Sequence, residues 1–158
     1  MILCAYSTQG RQTINPGENA IFTIVEVPCT QGYVRPRLSA GTFLLAGGPQ
    51  NRRRCPCCNM ANQTRDYLVD VKADIAVSEG GTVGPITVAL SLEGSSVQSS
   101  IMTVTPAAAE EFFNVSGAIP VDVFRGCCEF VSLKNTSSQP IDLQNGVIVF
   151  ALPELDRR

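Results

Sequence analysis

Histidine and tryptophan are absent from this chain of 158 residues, and each absence removes a class of function. Without histidine, neither a Ser-His-Asp triad nor a Cys-His pair can be assembled, and zinc loses one of its commonest ligands. Without tryptophan, and with only three tyrosines, there are few ring faces for sugars to stack on. Charge is scarce as well. Only 16% of the residues are charged, 12 Lys and Arg stand against 14 Asp and Glu, and the net charge is −2. Such a chain has no global field to attract nucleic acid or anionic lipid. Apolar runs are short, none approaching the ~20 residues of a membrane-spanning helix. No Gly-rich phosphate loop or dinucleotide fingerprint follows a strand-like run. No catalytic residue, cofactor site or metal site is therefore expected.

What the chain does contain is a series of short strand-like runs. The 44% apolar content is enough for a core, and the length suits one domain. Residues 66–77 carry Tyr67, Val69, Val71, Ala73, Ile75 and Val77 on one parity. Asp66, Leu68, Asp70, Lys72, Asp74 and Ala76 lie on the other, as in a half-buried strand with a solvated acidic face. Similar runs fall at 20–27, 42–46, 85–93, 97–105, 112–115, 118–124, 129–134, 141–143 and 146–152, separated by Gly, Pro and Asn turns. Residues 106–111 are expected to form one helical turn, with proline early and acids following. The stretch 147–150 is apolar on both parities, which suits a strand buried on both sides or one whose outer face meets a partner. The expected fold is all-β: an antiparallel sandwich or barrel of about eight to ten strands with almost no helix. Residues 1–13 are expected as an arm, 14–153 as the domain and 154–158 as a tail.

Seven cysteines are present, five of them in two clusters: Cys55, Cys57 and Cys58 in one, Cys127 and Cys128 in the other. The spacing fits zinc poorly, since adjacent cysteines on a strand diverge. Disulfide pairing between the clusters or between subunits fits better, against the alternative of thiols left reduced in a cytoplasm. An odd count leaves at least one thiol free or bonded to another chain. The run Arg52, Arg53 and Arg54 beside Cys55 is expected to be a solvated loop, with an anion or partner contact as the minority case. The opening apolar residues 1–6 lack a basic region before them and are too short for a secretory signal. The expectation is synthesis in a bacterial cytoplasm, with residence on a virion or extracellular surface.

The segment from Asp66 onward resembles jelly rolls of the C1q/TNF-like class, including C-terminal domains of spore-surface collagen-like proteins. The residues that carry the resemblance are Gly84-Pro85-Ile86-Thr87-Val88-Ala89-Leu90, Glu93-Gly94, Phe113-Asn114-Val115-Ser116, Leu133-Lys134-Asn135-Thr136-Ser137 and Ile141-Asp142-Leu143. The apolar run 147–152 closes the pattern. The whole chain is also similar to small proteins of Clostridia-type gut bacteria and their prophages, in which Cys-Cys and Gly-Cys-Cys elements recur. The resemblance implies three jelly rolls packed about a threefold axis through apolar side chains of the inner sheet. No Gly-x-y stem is present, so any anchoring falls to the N-terminal arm with Cys4. The chain is thus expected to be a non-enzymatic subunit, trimeric, on a phage particle as capsid decoration or head or tail fibre. Its partners are copies of itself and other surface structural proteins. Phe124, Phe130, Val147, Val149 and Phe150 are the expected contact residues. Two other roles compete: a spore-coat, exosporium or appendage subunit linked by disulfides through Cys4, and a carbohydrate-binding module, which makes a glycan a possible ligand.

Overall fold

The computed structural model describes residues 1–30, 32–47, 64–124 and 128–153. Within them the alternating runs form twelve strands. They are β1 (Ile2–Ser7), β2 (Gln12–Ile14), β3 (Ile24–Val27), β4 (Val34–Arg37), β5 (Thr42–Ala46) and β6 (Thr64–Val77). After these come β7 (Ile86–Leu92), β8 (Ser95–Ser96), β9 (Met102–Val104), β10 (Phe113–Phe124), β11 (Cys128–Asn135) and β12 (Ile141–Ala151). All pairings are antiparallel and fall into two six-stranded sheets. The first runs β10-β6-β12-β1-β3, with β2 alongside the start of β12. The second runs β4-β5-β11-β7-β8, with β9 against β7. Facing apolar sides of the two sheets enclose the core, the arrangement that period-two sequences produce when one face of each strand is dry.

β6 shows how the sequence sets this. Tyr67, Val69, Val71, Ala73, Ile75 and Val77 are all buried, while Asp66 and Lys72 are exposed on the other parity. The core is thickest around four rings. Phe43 of β5 packs against Phe150 of β12 at 4.9 Å between centroids, Tyr6 of β1 at 5.3 Å and Phe22 at 6.1 Å, tilted or edge-on as ring quadrupoles prefer. Tyr6 and Phe150 come from the first sheet and Phe43 from the second, so this cluster joins the layers.

Three expectations change. Residues 1–13 are not a separate arm: β1 lies between β12 and β3, and β2 pairs with β12. The apolar opening run supplies a strand that buries Leu3, Cys4, Ala5 and Tyr6. Residues 106–111 form bends and a turn rather than a helical turn. Glu110 takes a left-handed backbone conformation (φ 63), and its N–H donates to the Val77 carbonyl at 2.8 Å, holding the segment to the end of β6. Among the described residues the strands number twelve: β1, β2, β4 and β8 add four to the ten expected runs, while 112–115 with 118–124 and 141–143 with 146–152 each join into one strand, β10 and β12. Residues 154–158, expected as a tail, lie outside the described residues.

Candidate interaction surface

The outward face of the first sheet is built by β10, β6, β12, β1 and β3. Register fixes its rows. Val149 of β12 stands between Asp70 of β6 and Ala5 of β1, and Val147 stands between Lys72 and Ser7. Ala151 stands between Leu68 and Ile2. Beyond β6, Ser116, Ala118 and Pro120 of β10 lie opposite Lys72, Asp70 and Leu68. Val27 of β3 lies opposite Ala5. The short side chains on β10 leave a shallow hollow of about 480 Å³, lined mainly by Asp70, Lys72, Ser116, Ala118, Val147 and Val149. Ile2, 61% exposed, and Val27, 40% exposed, extend the apolar band away from the hollow.

Carboxylates border this band. Asp74 accepts from Asn145 Nδ2 and Asn114 Nδ2, each at 3.0 Å, and these two bonds hold its carboxyl below the ordinary range. Asp66 and Asp122 are directly opposed across β6 and β10. Hydrogen bonding with Asp66, then desolvation, then the Asp66 charge raise the Asp122 carboxyl above its ordinary range. Thr64 Oγ1 donates to Asp66 Oδ1 at 3.2 Å. One step along the same pair of strands, Phe124 is 62% exposed.

The five expected contact residues are divided by the structure. Val147, Val149 and Phe124 share the outward face of the first sheet. Phe130 lies on the other sheet, where the Arg37 guanidinium sits 5.1 Å from its ring centroid. Phe150 is corrected outright. It is fully buried against Phe43, because it pairs with inward-facing Val69 and so points into the core. Neighbours the sequence did not single out, Ile2, Ala5 and Val27, complete the face. Only the register of β1 against β12, and of β3 against β1, reveals them.

The cysteines also redistribute. Cys4 is bonded to Cys29 within the chain and is fully buried, so it is not a linker to another subunit. Cys29 stands alone after Pro28, outside both clusters, so local spacing does not mark it. The signal that points to it is that it and Cys4 are the two cysteines outside the clusters. Cys128 opens β11, exposed and opposite Ala46. Cys55, Cys57, Cys58 and Cys127, with Arg52, Arg53 and Arg54, lie outside the described residues. Among the described residues no three metal-ligating side chains gather at one point.

A second polar constellation closes one end of the first sheet. Asp142, 3% exposed, accepts at Oδ1 from Thr13 Oγ1 at 2.7 Å and Ser78 Oγ at 2.9 Å. Its Oδ2 accepts from Arg11 Nε at 2.9 Å and also from Arg11 Nη2. Arg11 Nη2 reaches Glu110 Oε1 at 2.8 Å, and the guanidinium lies 5.2 Å from the centre of the Phe112 ring. Burial pushes the Asp142 carboxyl up, but donors from Arg11, Thr13 and Ser78, with the Arg11 charge, outweigh it and hold the group below its ordinary range. This ties β2, β6 and β12 to the turn before β10, which is a structural task. A folded-state carboxyl held low contributes stability that is complete above about pH 4 and is lost as pH falls through the lowered value. Asp142→Asn should cost about 2 kcal/mol at neutral pH. In urea titrations at a series of pH values, the gap between wild type and variant should narrow as pH falls below the ordinary carboxylate range. A gap that is constant with pH would contradict the ion-pair account.

No protein-family model matches the chain, and no curated protein matches its sequence. Solved structures do match the fold. The globular domain of zebrafish complement 1qA aligns over 97% of this chain and 98% of its own, with TM-score 0.50 and 6% identity. Rabbit GITRL aligns over 98% and 97%, with TM-score 0.47 and 13% identity. The PRD1 vertex protein aligns over 97% and 99%, with TM-score 0.40 and 15% identity. The first of these carries the conclusion: the chain has the C1q/TNF-like jelly-roll fold expected from its sequence. At such identity a likeness speaks for architecture alone.

Proposed function

We propose that this protein is a non-enzymatic structural subunit that self-associates, as a trimer, through the outward face of its first sheet, on a phage particle surface. The observation that carries the self-association is the band of Val147, Val149, Ala151, Ile2, Ala5 and Val27 across the outward side of β12, β1 and β3. An antiparallel sheet normally turns polar side chains to water. Here the middle of the face is aliphatic and small, which suits close packing against another subunit and burial of apolar area. The C1q/TNF-like fold supports the trimer. Decoration of a capsid, or a place in a short head or tail fibre, follows from the resemblance of the sequence to prophage-encoded proteins and from its low net charge. The disulfide-linked fibre role loses its linker, since the Cys4 sulfur is taken by Cys29.

Light scattering on the purified chain tests the contact. The wild type should have the mass of a trimer at micromolar concentrations. Val149→Arg should weaken association by about a hundredfold or more, because it carries a charge into a dry contact. In the isolated subunit the new arginine lies opposite Asp70 and is tolerated. Phe130→Ser, on the other sheet, should leave the mass unchanged. A wild type that stays monomeric would end the proposal.

A further inference from the structure

The strand register places two carboxyls face to face on the surface proposed for self-association. Asp66 of β6 and Asp122 of β10 are directly opposed, and both point outward. Opposed residues on antiparallel strands hold their Cβ atoms about 5 Å apart, and like charges there repel. In water the repulsion is mild, since solvent screens it. In a contact that excludes water it is not, and one of two such carboxylates must find a cation or a proton.

Among the described residues, the groups that face the pair offer no cation. β6 carries Asp70, Lys72 and Asp74 outward, with Lys72 six residues from Asp66 and set between Ser116 and Val147. β10 carries Asn114, Ser116, Ala118, Pro120 and Phe124 outward, none of them charged. β12 pairs with β6 as far as Ala151 opposite Leu68, and its next described residues, Leu152 and Pro153, are uncharged. Arg65, next to Asp66, turns away: its guanidinium stacks 3.7 Å from the centre of the Tyr33 ring and donates to the Ala46 carbonyl at 3.3 Å. Thr64 supplies one hydroxyl, which is already given to Asp66.

We infer that contact between copies is gated by a proton shared between Asp66 and Asp122. Each subunit takes one proton from solvent as the pair enters the contact, and association opposes the doubly ionised form. The inference rests on the proposed self-association and adds its regulation. The raised Asp122 carboxyl of the single chain agrees in direction, and desolvation in a contact raises it further. The sign follows: protons taken up on association make the assembly tighter as pH falls. The sequence makes this easy to isolate. With no histidine anywhere in the chain, no imidazole titrates between about pH 5 and pH 7, the range where a response would otherwise be ambiguous.

Sedimentation velocity of the full chain over a concentration series tests it, at pH values from about 5 to about 7.5 at constant ionic strength. The wild type should associate about tenfold more tightly, or better, at the lower end. The Asp66→Asn, Asp122→Asn double variant should associate at the upper end as tightly as the wild type does at the lower end, without a pH slope. Glu129→Gln, on β11 in the other sheet and outside the proposed contact, should keep the wild-type slope. A wild type whose association ignores pH, or a folded double variant that retains the slope, overturns the inference and leaves self-association standing. A wild type that is monomeric at every pH and concentration removes both. The wild-type titration decides the matter even where the double variant does not fold.

Discussion

Gly41→Ala should lower the stability of the protein by about 4 kcal/mol, a large part of the margin by which a domain of this size is folded. Gly41 ends the turn between β4 and β5 with φ +68, a conformation that costs an L-residue about 1–2 kcal/mol. The second part is steric. A Cβ built there lies 2.3 Å from the Ala20 carbonyl oxygen and 3.2 Å from both Asn19 Cβ and Ile21 Cδ1. The carbonyl cannot rotate away at no cost. Its segment is held by the Gln12 side chain, whose Nε2 donates to the Ile21 carbonyl at 3.0 Å and whose Oε1 accepts from the Ile21 N–H at 2.9 Å. Ala20 N–H donates to the Leu133 carbonyl at 2.8 Å, and Ala20 and Phe22 are fully buried. Making room therefore moves the hairpin away from the core, an overpacking cost of about 1–3 kcal/mol. Gly17 provides the control. It has φ +79, and nothing lies within 4 Å of its virtual Cβ. Gly17→Ala should cost about 1–2 kcal/mol, the backbone part alone. Chemical denaturation of the two variants side by side separates the contributions. Equal losses would mean that the Ala20 contact yields without cost.

The strands of this fold can be read in the sequence wherever one face is wet. β6 alternates because solvent demands polar residues at every second position, so both its existence and its inward face follow from composition alone. β5 (Thr42–Ala46) falls on the run expected at 42–46, since Gly and Pro punctuate its end. Alternation fails where both faces are apolar. In β12, Val147, Ile148, Val149 and Phe150 carry no phase of their own, so Phe150 looks as available as Val149. The phase is supplied by a strand about eighty residues away, through Phe150 opposite Val69 and Val149 opposite Asp70. β1 has the same ambiguity, and its residues alone read as an arm. Phe130 fails differently: it is outward as expected, but on the other sheet, and sheet membership depends on pairing that no local pattern encodes.

The candidate surface shows the same limit. Asp66, Asp70 and Asp74 appear in the sequence as one solvated face, and the structure puts them on one face. What turns two carboxyls into a coupled pair is Asp122, which arrives from β10 only through the register that sets it opposite Asp66. Nothing within several residues of Asp122 announces this. Chemistry that depends on neighbours along the chain is legible in a sequence, and chemistry that depends on neighbours across a sheet becomes legible with the fold.

Removing the Cys4–Cys29 disulfide should cost about 3 kcal/mol and lower the melting temperature by roughly 6–12 °C. The bond spans 25 residues of chain. In the chain-entropy account, a loop of that length restricts the unfolded ensemble enough to give this figure. The native state adds a local reason. Cys4 sits in β1 opposite Phe150, next to the ring cluster that joins the two sheets. Cys29 lies just past β3, on the crossover that carries the chain from the edge of the first sheet to β4 at the edge of the second. β3 is short, and Ile24, Val25 and Val27 are all 40% exposed or more, so burial does little to hold it. The disulfide is what fastens this edge to the core. A Cys4→Ala, Cys29→Ala variant should therefore show early hydrogen exchange at β3, while β6 and β12 at the centre of the sheet stay protected. The same variant should associate less well, because Val27 on β3 belongs to the proposed contact face. Thermal unfolding and exchange measured together decide it. A variant with unchanged melting temperature and a protected β3 would show that the sheet edge holds itself, and that the sulfur bridge is incidental to it.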